Sequence, residues 1–274
     1  MRIINLIDNI SYKPELKSEH GLSYYIECNN HKILFDTGQS SAFIDNAKHL
    51  NIDLSLVDIV VISHGHYDHG GGLSAFLSLN KHAKIYINKE AFNDYYSRNN
   101  GELKYIGLDK NIIKNSQIRL VQTDTLVIDD SLILYSSVRQ EHLSPLGNHV
   151  LVEKRGFDLK EDLFRHEQNL VIREGQNVIL MAGCAHNGIL NIVEQISSRS
   201  QLKLTHVFGG FHLYNLTKDE YESDDRIKLL ANELLKSQAI YFTGHCTGIH
   251  AFDVLKQIMK DKIEYNSVGI IRTI

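Results

Sequence analysis

Residues 61–72 read VISHGHYDHGGG, and no other stretch so constrains what this chain can fold into. Three imidazoles and a carboxylate, His64, His66, Asp68 and His69, fall within six residues. They follow the apolar run Leu56–Ile62, whose composition is that of a buried strand. Imidazole nitrogen and carboxylate oxygen are ligands that Zn²⁺, Mn²⁺ and iron accept. At a strand end the backbone can curl, so alternate side chains can face two cations. His64 and His66 would then hold one ion, Asp68 and His69 a second. The spacing predicts a metal site.

The strand-then-histidine arrangement recurs. VILMAGCAHNG sets His186 past a strand and before a helix, THVFGGFHL sets His212 after a strand and a glycine pair, and IYFTGHCTG sets His245 ahead of a further helix. Ligand sites of sheets with helical crossovers lie at such strand ends. Asp36, in KILFDTG, also closes a strand, where a carboxylate can orient a ligand histidine through its second ring nitrogen. Other histidines, His31, His49, His82, His142, His206 and His250, lack this context and read as surface or satisfied core residues.

The rest of the chain reads as α/β. Strands are expected at Arg2–Leu6, Ser23–Glu27, Lys32–Phe35, Val57–Ser63 and Lys84–Asn88, with a hairpin turn at Asn29-Asn30. Helices are expected at Ala42–Leu50, Leu73–Leu79, Ile189–Ser198, Asp219–Lys236 and Phe252–Lys260. Between them fall strands at Ile118–Val121, Leu126–Ile128, Ser131–Ser136, His149–Glu153, Leu170–Arg173, Val178–Met181, Leu204–Phe208 and Ala239–Thr243, with a closing strand near Val268–Arg272. That order suits two mixed sheets packed face to face with helices outside.

At 274 residues the chain is read as one domain, 1–274, with a segment around 89–168 that could cover the site. A net charge of -4 gives no electrostatic reason to expect nucleic acid. Cys28, Cys184 and Cys246 are too few and too scattered for a disulfide framework, which fits a reducing cytoplasm. The first residues have no long apolar core, so no signal peptide is expected, and no stretch is long and apolar enough for a membrane span.

FDTG, SHGHYDHGGG, GCAH and GHCTG, in this order from about Gly21 to Gly248, resemble the metallo-β-lactamase superfamily and its H-x-H-x-D-H hallmark. The resemblance implies a four-layer αββα sandwich with one or two metal ions along one edge of the sheets. By it, His64, His66 and His186 would form a first ion site, and Asp68, His69 and His245 a second. EHGLSYYIE, LFDTG, GCAHNGILNI, GGFHL and GHCTG are similar to one subgroup, that of 7,8-dihydropterin-6-methyl-4-(β-D-ribofuranosyl)aminobenzene 5′-phosphate synthase. Dinuclear members of the superfamily usually supply a bridging Asp between the last two histidine motifs. Here Glu194, Asp219, Glu220, Glu222, Asp224, Asp225 and Glu233 read as mostly helical, and His212 stands at the equivalent strand end. A neutral imidazole has one lone pair and cannot bridge two cations.

A bound Zn²⁺-type ion lowers the pKa of its water toward about 7 and withdraws charge from a phosphoryl or carbonyl oxygen. The expected cofactors are one or two divalent ions, zinc first, with Mn, Fe or Mg as alternatives. The expected activity is hydrolysis of a small phosphoester or diphosphate by metal-bound hydroxide. Asp68 would orient that hydroxide or accept the proton of the water that yields it, and His212 would serve as metal ligand or substrate contact. Gly188, Thr247 and Gly248, at two helix starts, are candidate phosphate contacts. Arg98, Arg139, Arg155 and Arg165 are further phosphate candidates, and Tyr95 and Tyr105 could stack on a flat ring. Two alternatives stand beside hydrolysis: a pterin-type transferase, in which an arylamine displaces diphosphate, and a non-catalytic metal or ligand sensor.

Overall fold

The run before the histidines forms the strand Ile59–Ile62, buried along its whole length, as a strand with neighbours on both faces must be. In this computed structural model, which describes residues 1–99 and 101–274, that strand belongs to one of two compact units. The first unit comprises residues 1–93, 106–123 and 266–274. Its seven-stranded sheet runs Ile271–Thr273, Arg2–Ile7, Ser23–Cys28, His31–Phe35, Ile59–Ile62, Lys84–Asn88 and Ile118–Val121. The first three pairings are antiparallel and the last three parallel. Asn29 and Asn30, at φ 47° and 69°, make the tight turn that pairs Cys28 with His31. Helices Ala42–His49 and Leu73–Leu79 bury Phe43, Ala47, Leu73 and Phe76 in this unit's core.

The second unit comprises residues 94–105 and 124–265. Its main sheet repeats the plan in the order Ile263–Tyr265, Ile240–Thr243, His206–Phe208, Asn177–Met181, Gln168–Glu174, Leu132–Ser136 and Thr125–Val127. Here three parallel pairings are followed by three antiparallel ones. Helices Ile189–Ser200, Asp224–Leu235 and Ile249–Met259 supply Ile192, Ile196, Ile227, Leu230, Leu234 and Leu255 to its core. Each sheet is thus half antiparallel and half parallel. In both, the strand ends that carry chemistry lie on the parallel side, where helical crossovers leave the carboxyl ends open to ligands.

Three differences from the sequence expectation have physical causes. The helix read as 219–236 begins only at Asp224, where Ser223 Oγ caps it by accepting the Arg226 N–H. The residues before it form a small hairpin, Tyr214–Asn215 with Glu220–Tyr221, so Glu220 and Glu222 are not helical. The strand Ile263–Tyr265 is not among those expected, and the expected strand His149–Glu153 is observed as Leu151–Arg155, within a four-stranded sheet whose other members, Asp158–Glu161, Asp94–Asn99 and Glu102–Tyr105, are also additions. DLKE and ELKY are four residues each and exposed throughout, too short and too unburied for period-two reasoning to find them. Residues 89–168 therefore serve both units, 89–93 and 106–123 in the first and 94–105 and 124–168 in the second.

Candidate metal centre

Asp36 organises the histidine loop of the first unit. The chain turns left-handed there, φ 60°, directly after the strand His31–Phe35, and the carboxylate is fully buried. Its Oδ1 accepts the Ser63 N–H at 2.7 Å. Its Oδ2 accepts the Ser63 hydroxyl at 2.7 Å and His69 Nδ1–H at 2.6 Å. Because the one hydroxyl proton of Ser63 goes to Asp36, Ser63 Oγ accepts from His64 Nδ1–H, 2.9 Å away. Both rings therefore carry a proton on Nδ1 and a lone pair on Nε2. This carboxylate–imidazole arrangement is the one that fixes ligand tautomers in metal sites.

The His66 ring packs edge-on against His64 at 4.6 Å between centroids, and His69 lies 4.1 Å from His64. All three are buried, and Asp68 is 7 % exposed. Asp68 Oδ2 stands 3.5 Å from His69 Nε2 and 3.4 Å from Nε2 of His20, a residue the motif search passed over. The first unit thus brings His64, His66, Asp68, His69 and Asp36 into one cluster. Gly65, between two of these imidazoles, sits against backbone: an added Cβ would come 2.5 Å from Ala91 O. Gly65→Ala is expected to push the loop off that segment and cost about 1–3 kcal/mol. Thermal denaturation of the metal-free protein should show a Tm lower by several degrees.

The second unit carries His186, His212 and His245, each past the end of a parallel strand. The backbone is left-handed at Ala185 (φ 54°), His212 (φ 49°) and His245 (φ 49°), conformations that non-glycine residues adopt at a cost. Asn148 fixes His186 from both ends: its Nδ2 donates to the His186 carbonyl at 2.7 Å, and its Oδ1 accepts Nδ1–H at 2.9 Å. Nε2 of His186 is again the lone-pair nitrogen. Phe164 stacks flat on the same ring at 4.4 Å. Glu167, wholly buried, accepts the N–H groups of His186 (2.6 Å) and Asn187 (3.1 Å) and the Asn187 amide (2.7 Å). Burial pushes its carboxyl up, and those donors oppose the rise.

His212 lies 4.2 Å from the His186 ring, and its Nδ1 is buried with no hydrogen-bond partner. Its N–H donates to Cys246 Sγ at 3.3 Å. Cys184 Sγ lies within 4.8 Å of donor atoms of His186, of His245 and of His212. Neither thiol was read from the sequence as more than a sign of compartment. Asn148 and Glu167, too, carried no local signal.

The expected substrate contacts are placed differently. Thr247 Oγ1 accepts the Phe211 N–H at 2.9 Å and lies 2.5 Å from Thr243 Oγ1, deep in the core. At Gly188 a side chain would collide with Asn191 Nδ2, and at Gly248 with the Tyr221 ring. Each thus has a packing or hydrogen-bonding role within the fold. Tyr95 is buried against His166, and Arg155 is paired with Glu153. Glu222 is held by the Leu146 N–H and by Arg226, so it is a structural carboxylate rather than a bridge. A cavity of about 390 Å³ does open beside His212, walled by Leu146, Leu213, Asn215 and Tyr221 with Glu220 and Glu222 at its lining.

Buried imidazoles whose Nδ1 protons are spent on Asp36, Ser63 and Asn148, beside a carboxylate, fit a divalent cation. A profile of the metallo-β-lactamase superfamily matches residues 18–186. A Methanocaldococcus jannaschii protein, MJ0448, is 32% identical over 96% of each chain. The solved structure of Tm1679, a metal-dependent hydrolase of the β-lactamase superfamily, is 32% identical and superposes with a TM-score of 0.85, covering 100% of this chain and 99% of that one. The chain belongs to the metallo-β-lactamase superfamily and has its fold. Within it, the 7,8-dihydropterin-6-methyl-4-(β-D-ribofuranosyl)-aminobenzene-5′-phosphate synthase of M. jannaschii is 28% identical over 96% of this chain and 92% of its own. Among the described residues no helix is long and apolar enough to cross a membrane.

Proposed function

We propose that the protein is a metal-dependent hydrolase of a small phosphorylated substrate, a phosphoester or diphosphate. The observation that carries this reading is the set of fixed tautomers: Asp36, Ser63 and Asn148 aim the lone pairs of three buried histidines before any ion arrives. The residues that would hold one or two divalent ions, zinc first, with Mn, Fe or Mg as alternatives, are His64, His66, Asp68, His69, His186 and His245. When bound, the ions would acidify water and draw charge from a phosphoryl oxygen. Asp68 Oδ2 would accept the proton, and His20 Nε2, 3.4 Å away on a partly exposed ring, would pass it outward. His212 flanks the cavity and would contact the substrate there. The carboxylates of that lining favour the uncharged part of a substrate over its phosphate.

The test is a turnover screen of protein reconstituted with Zn, Mn, Fe or Mg against phosphomonoesters, phosphodiesters and pterin diphosphates. Phosphate release that requires added metal and stops with a chelator is the expected result. Metal-loaded protein that releases phosphate from none of these would refute the proposal. The 28% identical synthase supports a second reading, an arylamine displacing diphosphate from a dihydropterin. Formation of a C–N product from a dihydropterin diphosphate and an arylamine ribose phosphate would favour it over hydrolysis.

Asn148→Ala should lower metal affinity about 10- to 100-fold, because His186 loses the acceptor that fixes its ring. A competitive zinc titration with a chromophoric chelator would measure this, and unchanged affinity would refute the role of Asn148.

A further inference from the structure

We propose that Cys184 is a metal ligand whose thiolate is shared between the ion held by His186 and the ion held by His245. The inference rests on the metal reading above and adds a residue to it. Among the described residues, no carboxylate of the second unit shares a donor cluster with His186 or His245: the strand His206–Phe208 runs into Gly209 and Gly210, and Glu222 is spent on Arg226 and the Leu146 N–H. His212, at that strand end, offers a single lone pair. Cys184 does meet the requirement. The left-handed turn at Ala185 curls GCAH so that Cys184 Sγ comes within 4.8 Å of the His186 donor, and the same sulfur lies within 4.8 Å of the His245 donor.

Two ligands of one tetrahedral zinc lie roughly 3.5 Å apart when Zn–S is about 2.3 Å and Zn–N about 2.0 Å. One sulfur within 4.8 Å of two histidines on different strand ends is therefore in reach of both partners. A thiolate has lone pairs for two cations, and a thiol gives up its proton when it coordinates, one proton released per Cys184 bound. The second thiol has another task. Cys246 S–H donates to the Cys184 carbonyl at 3.7 Å while its sulfur accepts the His212 N–H. It holds the GCAH and GGFHL turns in place.

X-ray absorption on the wild-type protein loaded with two zinc ions tests this without any substitution. A bridging thiolate gives a metal–sulfur shell at about 2.3 Å with about one sulfur per zinc. A shell of about half a sulfur per zinc would mean a terminal ligand and overturn the bridge, and no sulfur shell would overturn ligation altogether. Cobalt reconstitution supplies the variant test. Wild type and Cys246→Ser should show a thiolate-to-cobalt charge-transfer band, and Cys184→Ser should lose it. Binding of both of its ions should weaken by more than roughly 100-fold, beyond the usual cost of losing a supporting group. Loss of the band in Cys246→Ser and its retention in Cys184→Ser would assign the sulfur to Cys246 and sink the proposal. Wild-type protein that takes up no cobalt or zinc would instead refute the metal reading itself, so the two failures are distinguishable.

Discussion

His66→Ala is expected to abolish both tight metal binding and phosphoesterase turnover. The His66 ring packs edge-on against His64 in a pocket where these imidazoles are almost wholly buried. Truncation removes a donor and opens the pocket to water. Metal ions contribute several kcal/mol to such reactions. A loss of about 4 kcal/mol corresponds to roughly 10³-fold in rate, at about 1.4 kcal/mol per decade. Elemental analysis after gel filtration and a phosphate-release assay check the two effects separately. Retention of both metal and turnover would remove the basis of the metal-enzyme reading. The metal-free variant should fold as the wild type does, since the side chain lies at a strand-end loop and not in the apolar core.

Substitution at Asp36 should divide its effects between fold and metal. In Asp36→Ala, three buried donors, Ser63 N–H, Ser63 O–H and His69 Nδ1–H, lose their acceptor together. Unsatisfied buried groups cost about 1–3 kcal/mol each, so about 3–5 kcal/mol in total is expected once neighbours relax. Asp36→Asn is the gentler probe. Asparagine tolerates the left-handed backbone at φ 60°, but its amide carries one acceptor oxygen and a donor nitrogen. One of the three hydrogen bonds must reverse or break, and His69 is then free to adopt the wrong tautomer. Zinc affinity should fall about 10- to 100-fold while the far-ultraviolet spectrum is unchanged. Denaturant unfolding of both variants, metal-free and metal-loaded, separates the two contributions. Equal zinc affinity in Asp36→Asn and wild type would show that Asp36 serves the fold alone.

Much of this was legible in the sequence because it is local. The alternating run at Lys84–Asn88, the Asn29-Asn30 turn and the continuous apolar strand before His64 each specify their own conformation. His64, His66, Asp68 and His69 announce themselves by density within one loop. Asp36 was readable too, since a carboxylate closing a strand before Thr-Gly is a position rather than a contact. Reading failed where residues act at a distance. Asn148 is 38 positions from the His186 it fixes, and Glu167 is 19 from the N–H it accepts. Neither lies in a recurring motif. The exposed strands Asp158–Glu161 and Glu102–Tyr105 were missed for the converse reason: their ladder partners hold them, and four exposed residues are too few to set a period.

The sequence by its motifs resembled one family, and by its pattern it determined the strand-end placement of the histidines and the donor types a cation would meet. Periodicity and spacing encode that placement through short-range sterics and burial. Only the tertiary structure decided which nitrogen of His64, His69 and His186 keeps its lone pair, and that Cys184 stands among the histidines of its unit. Tautomer and convergence depend on hydrogen bonds and turns that join strand ends far apart in the chain, which no local pattern can specify.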